Sequence, residues 1–248
     1  MSIFNTKYKM KQTRILLMAC VALVCVGIIS CSKDNNYSDN EENNGDGGTE
    51  TVEWVDLGLP SGLLWAKCNL GANSPEEYGD YFAWGETQPK EAYGWNTYHY
   101  CTVDDQGDLQ MLTKYNTSST YGTVDSLTTL EAMDDAATAA LGTGARTPTK
   151  EEWEELINNT TVEWTTMNGV NGRKFTASNG DSLFLPAAGF HLGTAFLDAD
   201  NYGHYWSATL VEDSPLFAWS LNYSSDNQFV SGGCGHFYGL SVRAVRQN

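Results

Sequence analysis

The chain has 248 residues, of which 18% are charged, and a formal net charge of −17. This acidic excess repels phosphate backbones and argues against nucleic acid as a partner. About 200 residues follow an N-terminal segment of distinct composition, which is enough for one good-sized domain and too few for two.

The first thirty residues have the pattern of an export signal. Four basic residues precede the apolar run 15–29, and no acidic residue occurs before Cys31. The run is shorter than the roughly 20 residues of a spanning helix and suits a signal peptide. Ile28-Ile29-Ser30-Cys31 resembles the bacterial lipobox, which implies a lipoprotein signal peptide over 1–30 and a lipid on Cys31. An ordinary signal peptide or an uncleaved anchor that ends in cysteine is the alternative.

The segment 31–50 is predicted to be a lipidated cysteine followed by an acidic tether. Asn, Asp, Glu and Gly dominate it, and Tyr37 is its single aromatic residue. It buries too little apolar surface to offset its ordering entropy, so we expect disorder. Its acidic residues resemble the surface-export signal of Bacteroidetes lipoproteins, which implies a lipid-anchored outer-membrane protein exposed at the cell surface; a plain spacer is the alternative. Without residues 1–30 the formal charge is −21, which attracts cations or basic surfaces.

Three cysteines remain after the lipidated one: Cys68, Cys101 and Cys234. Because three is odd, at most one disulfide forms within the chain, and the sequence does not choose the pair. The chain contains no His-Glu-x-x-His motif and no closely paired cysteines, so it has no zinc signature.

The first half of the folded part combines short strands with long loops. Apolar stretches at 54–59 and 63–68 flank a Pro-Ser-Gly turn signal and predict two strands, with Trp54 and Trp65 in the core. Residues 74–100 are dense in glycine, proline and aromatics and predict an ordered loop. Residues 104–123 predict an exposed loop or hairpin.

Two helices are predicted next. Thr128 and Glu131 form a capping box that opens a helix over 128–141, and Gly142 ends it. Its inward positions are Leu130, Met133, Ala137 and Leu141. In this helix, Asp134 and Asp135 are interpreted as a solvated face or a backbone cap.

The second helix begins with another capping box, Thr149 with Glu152. Its inward stripe is Trp153, Leu156 and Ile157.

Beyond residue 162 the pattern is β. Short apolar segments separated by Asn-Gly and other turn signals predict antiparallel strands. These are 164–166, 173–177, 182–186, 205–210, 218–223, 228–230 and 240–245. The alternation in 217–223 predicts a half-buried strand. Two helices followed by short antiparallel strands imply the α+β class.

Several motifs resemble the Fibrobacter succinogenes major paralogous domain, which is common in Bacteroidetes lipoproteins. The resemblance covers nearly all of residues 52–246. It rests on 55–66 (VDLGLPSGLLWA), 79–86 (GDYFAWGE), 134–137 (DDAA), 146–149 (RTPT) with 152–153 (EW), 185–189 (LPAAG), 205–207 (YWS) and 239–243 (GLSVR).

The helix entry at 146–153 and the final Gly-x-x-Val-Arg strand are also similar to formylglycine-generating enzymes and to C-type-lectin-like variable proteins. This implies a C-type-lectin-like domain over 51–248, with two helices, a small twisted antiparallel sheet, and long ordered loops between adjacent termini. Oxidase chemistry of the formylglycine-generating kind needs two late cysteines, and only Cys234 is present, so that chemistry does not carry over. Cys234 and His236 lie in a predicted flexible turn, where a nucleophilic pair is a weak alternative to a loop cysteine or disulfide partner.

No cofactor or metal site is assigned, although a structural calcium ion is an open alternative. Lectin-like folds often bind calcium through loop oxygens, which Asp80 with Glu86, or Asp198, Asp200 and Asn201, would supply. The calcium-dependent sugar signatures Glu-Pro-Asn and Trp-Asn-Asp are missing from the sequence.

The late segment is the predicted ligand-binding region, because rings that stack and amides that hydrogen-bond suit sugars or protein surfaces. The lectin-like resemblance also implies a ligand face there. The candidates are Tyr202, His204, Trp219, Asn222, Tyr223, Asp226, Asn227, Phe229, His236 and Tyr238. Core positions are the alternative for some of the rings, namely Trp206, Phe217, Trp219 and Phe237.

Together these features predict a non-enzymatic, adhesin-like surface lipoprotein, tied to the membrane by its lipid, that binds an extracellular glycan or protein. A structural subunit of a surface assembly, such as a fimbrial tip, is the alternative. A hydrolase or oxidase would need a convergent acid–base pair, for example among Asp80, Glu86 and His204.

Overall fold

A computed structural model describes residues 52–248. The predicted signal peptide, lipidated Cys31 and tether lie outside these residues. The described part is mostly β with two short α-helices, α1 (Ala136–Leu141) and α2 (Lys150–Asn158), broadly the α+β class. None of its helices has the length and apolar character needed to cross a membrane. The strands are β1 (Trp54–Asp56), β2 (Leu63–Ala66), β3 (Tyr81–Phe82), β4 (Cys101–Val103), β5 (Leu109–Leu112), β6 (Ala145–Arg146), β7 (Thr160–Met167), β8 (Val170–Ala177), β9 (Ser182–Pro186), β10 (Phe190–Leu192), β11 (Ala195–Leu197), β12 (Gly203–Leu210), β13 (Phe217–Tyr223), β14 (Gln228–Gly235), β15 (Leu240–Ser241) and β16 (Val245–Gln247).

The strands form several small sheets rather than the single antiparallel sheet that was expected. One sheet has the order β1-β2-β16-β6, another β14-β13-β12-β15-β3, and a third β7-β8-β9. Two further hairpins are β4-β5 and β10-β11. The pair β12-β15 is parallel, which makes the five-stranded sheet mixed.

The first and last strands of the domain lie in the same sheet. β16 pairs with β2, so that Val245 lies opposite Trp65. Trp65 is fully buried, and its ring lies 4.9 Å from that of Trp153. Trp54, also predicted for the core, is only partly buried, because it lies nearer the surface under the guanidinium of Arg246 at 4.5 Å. The predicted strand–turn–strand is confirmed, and one of its two tryptophans is in the core.

Arg243 is fully buried beside this sheet and holds both ends of the domain together. Its guanidinium donates to the carbonyls of Ala66 and Lys67 at 3.1 and 2.6 Å. It also donates twice to Asn69 Oδ1, at 3.0 and 2.7 Å. Burial lowers the pKa of Arg243, because the charged form loses its hydration. These oxygens replace the water that the charge has lost.

The first predicted helix is shorter than expected. α1 begins at Ala136, and its N-cap is Asp135, whose carboxylate accepts from the amides of Ala137 and Thr138. The residues before it are extended up to a 3₁₀ turn at 132–134, since the amide of Leu130 donates to a carbonyl of β12. The Thr128 capping box is therefore wrong: pairing with a distant strand wins over the local signal. Met133, expected inside, is 75% exposed.

The two acidic residues at the start of α1 are buried, so the solvated-face interpretation is wrong, whereas the backbone cap is correct for Asp135. Asp134 accepts hydrogen bonds from Tyr100, Lys114 and Tyr115 instead. Burial opposes ionisation, but these three donors outweigh it and lower the pKa of Asp134.

The second predicted helix is confirmed. Thr149 caps α2, and Glu152 completes the capping box. Glu152 also forms a two-pronged ion pair with Arg146, at 2.7 and 2.5 Å. Trp153 and Leu156 are fully buried. The capping box and the apolar stripe are enough to predict α2, because both act within the helix itself.

Most of the later strands are found close to where the pattern places them, but the predicted strand 240–245 is two short strands, β15 and β16, in different sheets. Ser220 and Asn222 in β13, expected on an exposed side, are buried like Leu221 and Tyr223. β13 lies between β12 and β14, and Asn222 bonds to side chains of both neighbours, so this side of β13 is not the exposed side that its alternation indicates.

The segment 104–123 also departs from expectation in part. The hairpin β4-β5 is present at its start. Tyr115 and Asn116, however, are fully buried rather than exposed. The Tyr115 hydroxyl bonds to Asp134, which draws this part of the loop inward.

We expect Arg243→Lys to lower the free energy of unfolding by about 3 kcal/mol, because a single ammonium cannot reach all of the oxygens that the guanidinium satisfies. Urea denaturation followed by tryptophan fluorescence measures this. The matched control is Arg246→Lys, at an exposed arginine three residues away, which we expect to change stability by less than about 1 kcal/mol. Equal small losses for both variants would contradict the role given to Arg243.

Candidate functional site

Five of the predicted ligand residues lie on or beside one side of the five-stranded sheet. His204, Asn222 and Phe229 lie opposite one another on β12, β13 and β14. Residues paired in this way project to the same side, since side chains alternate between the faces of a strand. We call this side, with Tyr202 at its margin, the aromatic–amide face. The opposite side packs into the core through Tyr205, Leu221 and Tyr223, which are all fully buried.

The aromatic–amide face is covered at one end and open at the other. Near β15, Trp206 and Ala218 are buried, and Cys234 and Tyr238 pack against them. Towards the other end, Tyr202 is 45% exposed and Phe229 is 52% exposed. Two rings are therefore exposed to solvent, one on each side of the strand pair β12-β13.

Asn222 ties the three strands of the face together rather than pointing outward. Its amide nitrogen donates to the carbonyl and hydroxyl oxygens of Ser220 and to the hydroxyl of Ser231, at 2.9–3.0 Å. Its amide oxygen lies 2.6 Å from Nδ1 of His204. The side chain is almost completely buried, so Asn222 supports the face and is not a direct ligand contact.

The bond to Asn222 fixes the protonation of His204. Because the amide oxygen only accepts, Nδ1 carries the hydrogen, and Nε2 is the acceptor. Burial lowers the pKa of His204, although the bond to Asn222 opposes this, so the ring is neutral at pH 7. Its Nε2 atom is buried and has no hydrogen-bond partner among residues 52–248.

The rings around His204 hold one another in place. Tyr202 stacks on His204 with centroids 6.2 Å apart and an interplanar angle of 19°. Phe190 meets His204 edge-on at 5.2 Å and lies 5.8 Å from Tyr238. Aromatic pairs in these geometries are mutually attractive, so the rings are ordered before any ligand arrives.

The β10-β11 hairpin extends the aromatic–amide face, and the late-segment prediction missed it. Phe190 pairs with Leu197, and Leu192 with Ala195, so these four side chains share one side of the hairpin. Leu192 and Leu197 are 38% and 36% exposed. A usable signal was present, since the largely apolar triplets Phe-His-Leu and Ala-Phe-Leu flank Gly-Thr in residues 190–197, a hairpin pattern.

The other side of the hairpin carries His191 and Phe196. Their rings stack at 4.9 Å with an interplanar angle of 18°, and Phe196 meets Tyr81 at 5.6 Å. Phe196 is 46% exposed. It is thus an exposed ring on the side of the hairpin away from Phe190.

Three predicted ligand residues do not belong to the aromatic–amide face. Tyr223 is buried in the core, and its hydroxyl donates to the carbonyls of Leu185 and Pro186. Trp219 projects from the core side of β13, where the ammonium of Lys150 lies 4.0 Å from its ring centroid. His236 is fully buried and stacks on Trp84 at 4.5 Å. Their aromatic character serves packing because the surfaces next to them are already covered.

Asp226 and Asn227 lie in the turn between β13 and β14, and both are exposed. The turn is closed by a hydrogen bond from the amide of Ser224 to the carbonyl of Asn227. These two side chains therefore lie beside the open end of the face, near Phe229.

The late cysteine and histidine do not form a nucleophilic pair. Cys234 lies in β14 rather than in a flexible turn, and its sulfur is 3.2 Å from the hydroxyl of Ser220. Burial raises the pKa of Cys234, which disfavours the reactive thiolate. In the part of the chain that the structure describes, Cys68, Cys101 and Cys234 are all free thiols.

The carboxylates considered for calcium have protein partners or stand apart. Glu86 pairs with Lys90 at 2.7 Å, and Asp200 accepts from the hydroxyl of Tyr78 at 2.9 Å. Burial is the main reason that the pKa of Tyr78 is raised to about 12, and the hydrogen bond to Asp200 is the second. Residues 52–248 contain no group of three or more His, Cys, Asp or Glu side chains arranged to hold a metal ion.

Two clefts lie away from the aromatic–amide face. One, of about 260 Å³, is lined by residues that include Glu86, His99, Tyr100 and Met133. The other, of about 760 Å³, runs between residues 66–75 and the end of α1. Neither is lined by any of the predicted ligand residues.

No protein-family model, curated protein or solved structure matches the chain. The chemistry of the face indicates what it can bind. Its open end presents flat rings with a carboxylate and an amide in the adjoining turn, on a base of bonded strands. Such a surface stacks against apolar or sugar faces and hydrogen-bonds at its margin.

The burial of His236 makes stability depend on pH. A backbone group of Phe217 approaches the ring, but neither nitrogen makes a normal hydrogen bond within residues 52–248. Burial lowers the pKa of His236 from 6.5 to about 3. Below pH 6.5 the unfolded chain binds a proton that the folded protein excludes, so acid favours unfolding.

We therefore expect the free energy of unfolding to fall as the pH drops from about 7 to about 5, with His236 contributing about 1 kcal/mol per pH unit. In His236→Phe the contribution of His236 to the change of unfolding free energy with pH disappears, whatever the absolute stability of the variant. The control, His99→Asn, changes an exposed histidine and keeps the slope. Denaturation curves at several pH values decide; an unchanged slope in His236→Phe would refute the assignment.

Proposed function

We propose that this protein is a non-enzymatic cell-surface lipoprotein that binds an extracellular ligand, a glycan or a protein, through the aromatic–amide face. The observation that carries the proposal is the pair of exposed rings, Tyr202 and Phe229, on either side of the bonded His204–Asn222 pair. Exposed rings on rigid strands bind with little loss of conformational entropy.

The chemistry of the face favours binding over catalysis. A general base needs a proton donor within reach, and His204 bonds only to Asn222, with its second nitrogen buried. Among residues 52–248 no histidine ring bonds to a serine, threonine or cysteine side chain, the contact that activates a nucleophile. Ser220 and Ser231 instead accept hydrogen bonds from Asn222.

A glycan is the ligand class that suits this surface best. The apolar face of a sugar ring stacks on an aromatic ring, while its hydroxyls need donors and acceptors at the margin. Tyr202 and Phe229 supply rings, and Asp226 with Asn227 supplies oxygens and an amide at the adjoining turn. A protein ligand would use the same rings as anchors, with the leucines of the β10-β11 hairpin beside them.

We assign the domain to a C-type-lectin-like fold of the Fibrobacter succinogenes major paralogous kind. Support comes from the structural roles of the motif residues that carry the resemblance. The arginine of the helix-entry motif, Arg146, pairs with Glu152, and the final motif arginine, Arg243, joins the two ends of the domain. The adjacent first and last strands and the two helices accord with such a fold.

The proposed location of the protein in the cell follows from the N-terminal pattern. In this proposal residues 1–30 direct export, Cys31 carries the lipid, residues 31–50 are the tether, and residues 51–248 form the binding domain. The protein is thus held at the outer membrane and faces outward. The same arrangement would serve a structural subunit of a surface assembly, and the edge of β14 described below favours that second candidate.

Replacing either exposed ring tests the binding proposal. On an array of glycans and extracellular proteins, Tyr202→Ala and Phe229→Ala should each weaken the best ligand about tenfold, because each removes roughly 1.4 kcal/mol of stacking. The probe is soluble protein from residue 31 onward with Cys31→Ser. Phe196→Ala, an exposed ring on the other side of the hairpin, is the matched control and should keep full affinity. Loss of binding in the control alone, or no ligand across the panels, would count against the proposal.

Replacing the predicted lipid-bearing cysteine tests the address. Cys31→Ser should leave the chain without fatty acid, because the thiol that accepts the lipid is gone. Mass spectrometry of the N-terminal peptide measures this, with Cys68→Ser as the control that stays acylated. Acylation that survives in Cys31→Ser would contradict the prediction.

A further inference from the structure

β14 is the outer strand of the five-stranded sheet, and within residues 52–248 no strand pairs with its outer edge. In the turn before it, the amide of Ser224 donates to the carbonyl of Asn227. Hydrogen-bonded and non-bonded pairs alternate along an antiparallel ladder. Gln228 and Val230 therefore lie in non-bonded pairs, and their backbone N–H and C=O groups point away from β13. Within residues 52–248 no backbone group bonds to them.

The far end of the strand gives the same alternation. The amide of His236 donates to the carbonyl of Leu216, which makes that pair hydrogen-bonded. Gly232 and Gly233 together lie opposite Trp219, so a bulge of one extra residue separates the two halves of the ladder. Once the bulge is included, counting the alternation from either end of β14 gives the same residues, whose backbone groups point away from β13.

The other edge strands of the described residues carry the usual protection against pairing. β7 contains Glu163, β9 ends in Pro186, and β1 ends in Asp56. β3 and β6 are only two residues long, and the strands of the two isolated hairpins have three or four. β14 has eight residues, Gln-Phe-Val-Ser-Gly-Gly-Cys-Gly, with neither charge nor proline. Charge, proline and short length are what normally keep an edge from acquiring a further strand.

The charges around β14 select the kind of strand that would pair with it. Residues 52–248 contain 9 Lys and Arg against 25 Asp and Glu, a formal charge of −16. Asp226 lies at one end of the strand, Glu212 and Asp213 lie in the loop at the other, and all three are exposed. That loop approaches the strand, since Val211 lies against Gly232. A second copy of the chain would bring the same excess of carboxylates, whereas basic flanks on a partner would be attracted.

We propose that β14 binds an extended segment of another protein by strand addition, and that this segment has uncharged residues at its centre and Lys or Arg at its ends. Main-chain hydrogen bonds to Gln228 and Val230 hold the added strand, and the acidic residues at both ends of β14 fix its flanks. This contact uses the backbone edge of β14 and not ring surfaces. Phe229 projects from the same strand, whereas Tyr202 lies beside β12, with β13 between it and this edge.

The test uses synthetic peptides and the soluble mature chain with Cys31→Ser. The first peptide alternates valine and threonine over eight positions between pairs of lysines, the second has glutamates in place of the lysines, and the third has prolines at alternate positions. Fluorescence anisotropy should show binding of the lysine-flanked peptide, and at least about tenfold weaker binding of the other two. Hydrogen exchange at the amides of Gln228 and Val230 should slow when the first peptide binds.

Two substitutions with matched controls locate the contact. Gly233→Lys adds a charge to the edge where a new side chain meets no atom within 4 Å, and Gly233→Ser is its control. Gln228→Pro removes an outward N–H without breaking the ladder to β13, and Gln228→Ala is its control. Each first variant should weaken the lysine-flanked peptide at least about tenfold, and each control should not. Tyr202→Ala should bind the peptide normally, which separates this proposal from ligand binding at the face.

Three outcomes would overturn the proposal. The first is equal binding of the lysine-flanked and glutamate-flanked peptides, or binding of neither. The second is peptide binding that survives both Gly233→Lys and Gln228→Pro. The third is a dimer in sedimentation that Gly233→Lys dissolves, which would assign the edge to a second copy of the chain.

Discussion

The buried guanidinium of Arg243 is the interaction on which the rest of the structure depends. It lies near the end of the chain, and its partners lie near the start of the domain, at Ala66, Lys67 and Asn69. Asn69 also bonds to the hydroxyl of Tyr205, which extends the network into β12. A buried charge tolerates no missing partner, so both ends of the domain and its central strand must be in place together.

This constraint determines which side of the sheet is free to meet a ligand. Tyr205 and Tyr223 bond through their hydroxyls to the carbonyl of Pro186, so the side of β12 and β13 that carries them is committed to the core. Alternation then places His204 and Asn222 on the other side. The proposed binding by the face and the proposed pairing at the edge of β14 would thus use one sheet, whose inner surface is fixed by a polar network.

Local signals in the sequence predicted what local interactions form. The capping box of Thr149 and Glu152 acts within four residues, and α2 is where the sequence predicts it. Leu130 fits a helical stripe equally well, yet its amide bonds to β12, a partner some eighty residues away that no local pattern reveals. The candidate site divides in the same way. Its two exposed rings were predicted, but alternation could not show that Tyr223 faces covered surface or that the β10-β11 hairpin borders the face.

Native-state hydrogen exchange tests the central claim most directly. The amides of Ala66 and Leu70 donate to the carbonyls of Ala244 and Val242, on either side of Arg243. If Arg243 locks the two ends together, these amides exchange only through complete unfolding, and their opening free energy equals the stability measured by denaturation. Opening free energies more than about 2 kcal/mol lower would mean that the terminal strands fray independently, which would contradict the account.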